Sequence, residues 1–127
     1  MNRRIFFQRL VGGIGLIAVA PAVTAASRTV LIQESPVAGF QFHDGEFVWP
    51  SLKVGKELTL VREADNVHDS NAVAVYFHTD QLGYVPRVEN TAVAQMLDRG
   101  ELLKASISKL NDTDNPWDRV WLEIFLA

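Results

Sequence analysis

The chain has 127 residues, so it holds one domain at most. Its hydrophobic content of 48 % and charged content of 21 % are those of an ordinary globular protein. It has no cysteine, which excludes a disulfide framework, a thiolate metal site and a cysteine nucleophile.

Residues 1–26 differ from the rest. Arg3, Arg4 and Arg9 precede an uncharged apolar run from Val11 to Val23, and small residues follow at Thr24, Ala25 and Ala26. This is the layout of a cleavable secretory signal. The run is too short for a comfortable membrane span of about 20 residues, so no stable span is expected after cleavage. The paired arginines followed by Ile5 and Phe6, with glycines at 12, 13 and 15, resemble a twin-arginine signal. The expectation is a signal peptide at 1–26, a single domain at 27–127, and a periplasmic or secreted product. Precursor charges are 12 basic and 15 acidic; losing three arginines leaves nine against 15, a net of −6. Such a domain repels a long polyanion, which disfavours broad, nonspecific duplex binding.

The expected elements follow in chain order. Arg28 to Gln33 is a short β-prone stretch, and Val37 to Phe42 follows Pro36 with Gly39 inside it, where a strand glycine marks a bulge or a close backbone approach. Asp44-Gly45 is a turn signal. Lys56 to Arg62 alternates as a half-buried strand does. Asp65 to Asn71 is polar and turn-rich. Ala72 to Phe77 is a strong strand, and Thr79-Asp80-Gln81 turns it into Leu82 to Val85 as a hairpin. A helix fits Thr91 to Arg99, with Asn90 able to cap its free amides, Val93, Met96 and Leu97 on one face, and Gly100 as the left-handed terminator. Lys104 to Leu110 and Trp117 to Phe125 read as two further strands around a polar loop at 111–116. The expected fold is mainly β: a small barrel of about six strands with one helix.

Few residues point to catalysis. His43, His68 and His78 form no metal-ligand pair, and a zinc site needs three or four converging ligands. The run Asp65, Val67, Asp69, Asn71 fails as a calcium loop: Val67 sits at a ligand position, Ser70 at the required glycine, and Tyr76 at the bidentate glutamate. Neither a nucleophile elbow nor a phosphate-cradling Gly-Lys-Ser/Thr loop is present. No cofactor is expected.

The informative stretch is Gly55 to Arg87. It contains Leu58-Thr59-Leu60-Val61-Arg62-Glu63, then Asn66-Val67-His68-Asp69-Ser70-Asn71-Ala72-Val73-Ala74-Val75, then Leu82-Gly83-Tyr84-Val85-Pro86-Arg87. These three ordered motifs resemble the HIRAN domain family, and Val37-Ala38-Gly39 fits its opening Val-x-Gly. The resemblance covers about residues 35–110. It implies an OB-like barrel and, from eukaryotic members fused to Swi/Snf-type helicases, capture of a single-stranded DNA 3′ end. There an aspartate receives the terminal hydroxyl, aromatic residues stack on the last bases and basic residues hold phosphates.

Carried over, the resemblance makes Asp69 the hydroxyl acceptor, Phe42 a stacking residue and Arg87 a phosphate contact. Asn66 and Asn71 match loop asparagines whose other role is to tie the loop backbone together. Tyr84 stands at a position that is histidine in the DNA-end binders. Gln41 replaces an arginine, His43 and His68 replace tyrosines, and Val67 replaces a proline. A histidine can still stack, and an ordinary imidazole gains charge below about pH 6.5. Two functions follow as expectations: a noncatalytic module for a nucleic-acid end or nucleotide-like molecule, or an exported module binding a peptide or envelope component. Hydrolase and zinc activities belong to modules of larger family members, whose ATPase motifs and cysteines this chain lacks.

Overall fold

The computed structural model describes residues 29–127. The signal sequence expected at 1–26 lies outside the described residues. Six strands form one antiparallel sheet: β1 (Val30–Pro36), β2 (Glu57–Glu63), β3 (Ala72–Phe77), β4 (Asp80–Tyr84), β5 (Leu103–Leu110) and β6 (Val120–Leu126), in the order β1-β6-β5-β2-β3-β4. Two short helices join them, α1 (Gly45–Val48) and α2 (Thr91–Asp98). No helix among the described residues is long and apolar enough to cross a membrane.

The sheet is two three-stranded halves meeting at two corners. At one corner β2 pairs with β5 only through Glu57 and Leu58 against Ser106 and Ala105. At the other, the chain leaving β1 crosses over. Val37 donates its amide to the Val120 carbonyl, and Ala38 then exchanges two hydrogen bonds with Tyr84, 2.8 and 2.9 Å. A single bridge therefore spans the two edges of an otherwise open, OB-like sheet. It demands close approach, because a Cβ on Gly83 (φ +156°) would collide with the Ala38 carbonyl.

The alternation in β6 is as the sequence indicates: Val120, Leu122 and Ile124 are buried. They join Val37, Phe40, Val73, Val75, Leu82, Val85, Val93 and Ile107 in one core. β3 is buried on both faces, because α2 packs Val93 and Ala94 over the sheet. Arg62 on β2 grips the far end of α2 through a two-pronged contact with Asp98, 2.9 and 3.2 Å.

Several boundaries differ from those expected. Val37 to Phe42 is not a strand. After the bridge at Ala38 the chain turns at Gly39 (φ +73°) into a 3-10 turn at Phe40–Phe42, which buries the Phe40 ring over Gly45. The ring's need for burial thus overrides the local β preference. The hairpin turn is His78-Thr79, because Phe77 already pairs with Asp80. The final strand begins at Val120 rather than Trp117. The Asn111 amides fold the loop back on Arg119 and Asp118, leaving Trp117 outside the ladder. Asn90 makes no side-chain cap on α2. Gly100 does take the left-handed conformation at the helix end (φ +84°).

Candidate functional site

Three segments meet beside the bridge: the turn at 39–43, the loop at 64–71 joining β2 to β3, and the end of β4 running into Arg87. Together with Trp117 they enclose a cleft of about 590 Å³. Of the residues singled out in the sequence, Phe42, His43, Asn66, His68, Asp69, Tyr84 and Arg87 line it. Gln41 does not. It faces a separate, smaller cavity with Phe40, Glu46, Asp114, Pro116 and Arg119, because the 3-10 turn sends neighbouring side chains to different sides. Asn71 contributes a backbone amide rather than a lining side chain.

The loop at 64–71 is held by its own polar groups. Asn66 Oδ1 accepts from the backbone amides of His68 (2.8 Å) and Asp69 (3.2 Å), the self-capping turn that asparagine favours. Its Nδ2 donates to Glu63 Oε1 at 3.0 Å, and the Tyr84 hydroxyl donates to the same oxygen at 2.9 Å. Glu63 is therefore a shared acceptor that ties the loop to β4. The tying role falls to the side chain of Asn66 more than to that of Asn71.

Asp69 sits in this frame with both carboxylate oxygens engaged. Oδ1 accepts the Asn71 amide at 2.9 Å, and Oδ2 accepts Asn90 Nδ2 at 2.8 Å. Each oxygen retains capacity for a further donor. The side chain expected to cap α2 has been diverted to Asp69, and it is 1 % exposed there.

The aromatic residues are placed differently. Phe42 is 79 % exposed and Trp117 is 54 % exposed, so both present bare ring surface at the cleft. His43 packs edge-on against Tyr84 with ring centroids 5.6 Å apart. Trp117 belongs to the cleft rather than to the final strand. A tryptophan directly after Asn115-Pro116 in a polar loop is the signal that could have found it.

Arg87 is exposed and is the one Lys or Arg among the lining residues; Asp69 is the one Asp or Glu. The cleft thus carries balanced charge in a chain whose net charge is −3. The Gln81 side chain pulls the Tyr84 phenol down, but burial and the nearby Glu63 outweigh it, so Tyr84 titrates above the ordinary value of 10.0. A raised value in the fold means that Tyr84 contributes stability below about pH 10, and that the contribution is lost as pH rises through the raised value. Urea unfolding from about pH 8 to about pH 11 should show a stability gap between wild type and Tyr84→Phe that closes with rising pH. A constant gap would contradict the assignment. Among the described residues no cluster of three or more His, Asp or Glu could hold a metal ion.

The fold and cleft define a class: a small OB-like β domain with an aromatic and polar cleft at the seam of its sheet. The HIRAN domain model matches residues 30–126, and the chain belongs to the HIRAN domain family. Among solved structures it is similar to a structural-genomics protein from Lactobacillus plantarum. That likeness has 27 % identity and a TM-score of 0.68, covering 77 % of this chain and 94 % of that one. It is also similar to the HIRAN domain of human HLTF, with 19 % identity and a TM-score of 0.59 over 76 % of this chain and 78 % of that one. The latter likeness speaks to the fold. No curated protein matches the chain.

Proposed function

We propose that this chain is a noncatalytic nucleic-acid-binding module whose cleft captures the 3′ end of single-stranded DNA. The observation that carries this reading is the placement of the Asp69 carboxylate, braced on both oxygens, in one cleft with exposed aromatic rings and a free cation. A carboxylate accepts a hydrogen bond from a terminal hydroxyl. An internal phosphodiester has no such hydrogen to give, so the carboxylate distinguishes an end from the middle of a strand. Phe42 and Trp117 supply stacking faces worth about 1–3 kcal/mol per base, whatever the sequence. Arg87 supplies one phosphate contact. With so little positive charge, affinity comes from the terminal nucleotides rather than from the polyanion. Export through the signal at 1–26 belongs to the same proposal, with the domain acting outside the cytoplasm.

The test is a titration of residues 27–127 with a short fluorescent oligothymidylate ending in a 3′ hydroxyl or a 3′-deoxy group. The free end should bind at least about tenfold more tightly, and Asp69→Ala should abolish the difference. The salt slope should be shallow, roughly −0.7 for a single phosphate contact. Equal, negligible binding of both oligonucleotides would sink end capture. A nuclease-insensitive envelope protein recovered with the domain would favour the interaction-module alternative. Fractionation of the host cell with N-terminal sequencing tests export.

A further inference from the structure

The brace on Asp69 assigns work to a residue outside the recognised motifs. We propose that Asn90 is a positioning residue that sets the selectivity of the cleft for a hydroxyl-bearing end; this rests on the end-capture reading above. Asn90 lies 21 residues from Asp69, at the start of α2, and its Nδ2 donates to Asp69 Oδ2 at 2.8 Å. The residue is fixed from several directions. Its carbonyl accepts the Ala94 amide at 2.9 Å, starting the helix. The carbonyl of its neighbour Glu89 accepts Gln33 Nε2 from β1 at 3.0 Å. The far end of α2 is anchored to β2 by Arg62 and Asp98. A donor mounted on this frame and almost wholly buried has little freedom to move.

Asp69, by contrast, stands on a surface loop. The Asn71 amide holds Oδ1, but that bond lies within the loop itself. The Asn90 bond refers the carboxylate to the helix and, through it, to the sheet. A donor on each oxygen fixes the plane of the carboxylate. The accepting positions that remain are then presented in one orientation, which is how a single hydrogen bond acquires selectivity. Asn90 touches no nucleotide in this account, since it does not line the cleft.

The experiment compares wild type, Asn90→Ala, Asp69→Ala and the double variant against the hydroxyl- and deoxy-ended oligothymidylates. Asn90→Ala should cut the preference for the hydroxyl end about tenfold while leaving affinity for the deoxy end unchanged. It should have no further effect in the Asp69→Ala background, because coupled residues share one effect. General loosening of the fold would instead weaken both oligonucleotides, with or without Asp69. Should Asn90→Ala fail to fold, Asn90→Leu keeps the branched outline at a larger volume and removes the donor. Retention of full preference in a folded variant overturns the proposal. One arm needs no DNA: in the NMR spectrum the Asn90 side-chain amide should move upfield in Asp69→Ala. A stationary signal would refute the brace even where end capture holds. A shifted signal with no end preference in wild type would overturn end capture, and with it the selectivity role, while leaving the brace standing.

Discussion

Gly83→Ala should unfold much of the population under mild denaturant. The new methyl would meet the Ala38 carbonyl and crowd the Val37 side chain at 2.8 Å, in a backbone conformation (φ +156°) that side chains disfavour. Relief requires the bridge between the two halves of the sheet to open. The backbone strain costs about 1–3 kcal/mol and the overpacking a similar amount, so a loss on the order of 3 kcal/mol or more is expected. A domain of this size has about 5–15 kcal/mol in total, so the variant is left marginal. Gly100→Ala is the control. It has a left-handed backbone (φ +84°), but a Cβ there meets nothing within 4 Å, so only the backbone cost of about 1–2 kcal/mol applies. Urea midpoints of the three proteins separate collision from conformation. If the two variants lose equal stability, the close approach at Ala38 is not what Gly83 serves.

Phe40→Ala should cost about 3–5 kcal/mol, the range for deleting a buried phenyl ring. The ring is 1 % exposed, lies over Gly45, and meets Trp49 edge-on with centroids 6.2 Å apart. Arg119 lies against the same pair of rings, 4.0 Å from the Trp49 centroid, while paired with Glu46. Removing Phe40 therefore empties a junction of the turn at 40–42, α1 and the start of β6. Because the same turn presents Phe42 and His43 to the cleft, binding of the hydroxyl-ended oligothymidylate should fall with stability. Phe42→Ala separates the two effects. That ring is 79 % exposed, so stability should stay within about 0.5 kcal/mol while a stacking face is lost. Thermal melts and titrations on both variants check the pair. A Phe40→Ala variant that melts like wild type would mean that the ring is not a core support.

What the sequence revealed, and what it hid, divides by the range of the interactions. The alternation of Val120, Leu122 and Ile124 and the left-handed Gly100 depend on neighbours within a few residues, and both were legible. The loop carrying Asn66 and Asp69 was legible for a similar reason, since its turns close on themselves. Asn90 has the sequence position of a helix cap, because the local rule knows only the helix. Its Nδ2 instead donates to Asp69, 21 residues away, and its backbone is helical (φ −97°, ψ −8°) rather than extended as a capping residue's usually is, so no side-chain cap forms. Gln41 and Phe42 looked like adjacent members of one site, but a 3-10 turn rather than a strand sends them to separate cavities. Trp117 was hidden because its membership depends on the Asn111 loop folding back, which no short-range pattern encodes. Gly39, which in a strand would mark a bulge or a close approach, takes a left-handed turn (φ +73°), and the close approach is made at Gly83.

The pairing of β1 with β6 also orders events in time. Val30 lies opposite Leu126, almost the full length of the described chain apart. Contacts between such distant residues are slow to form, because a long loop must close first. Val37, just after β1, bonds to Val120, and the next residue, Ala38, lies beside Tyr84 at the cleft. One wall of the cleft is thus anchored to a strand made after all the other described strands. Until β6 is made, the turn bearing Phe42 lacks its anchor at Val120, so the site is assembled only after the chain has passed β6.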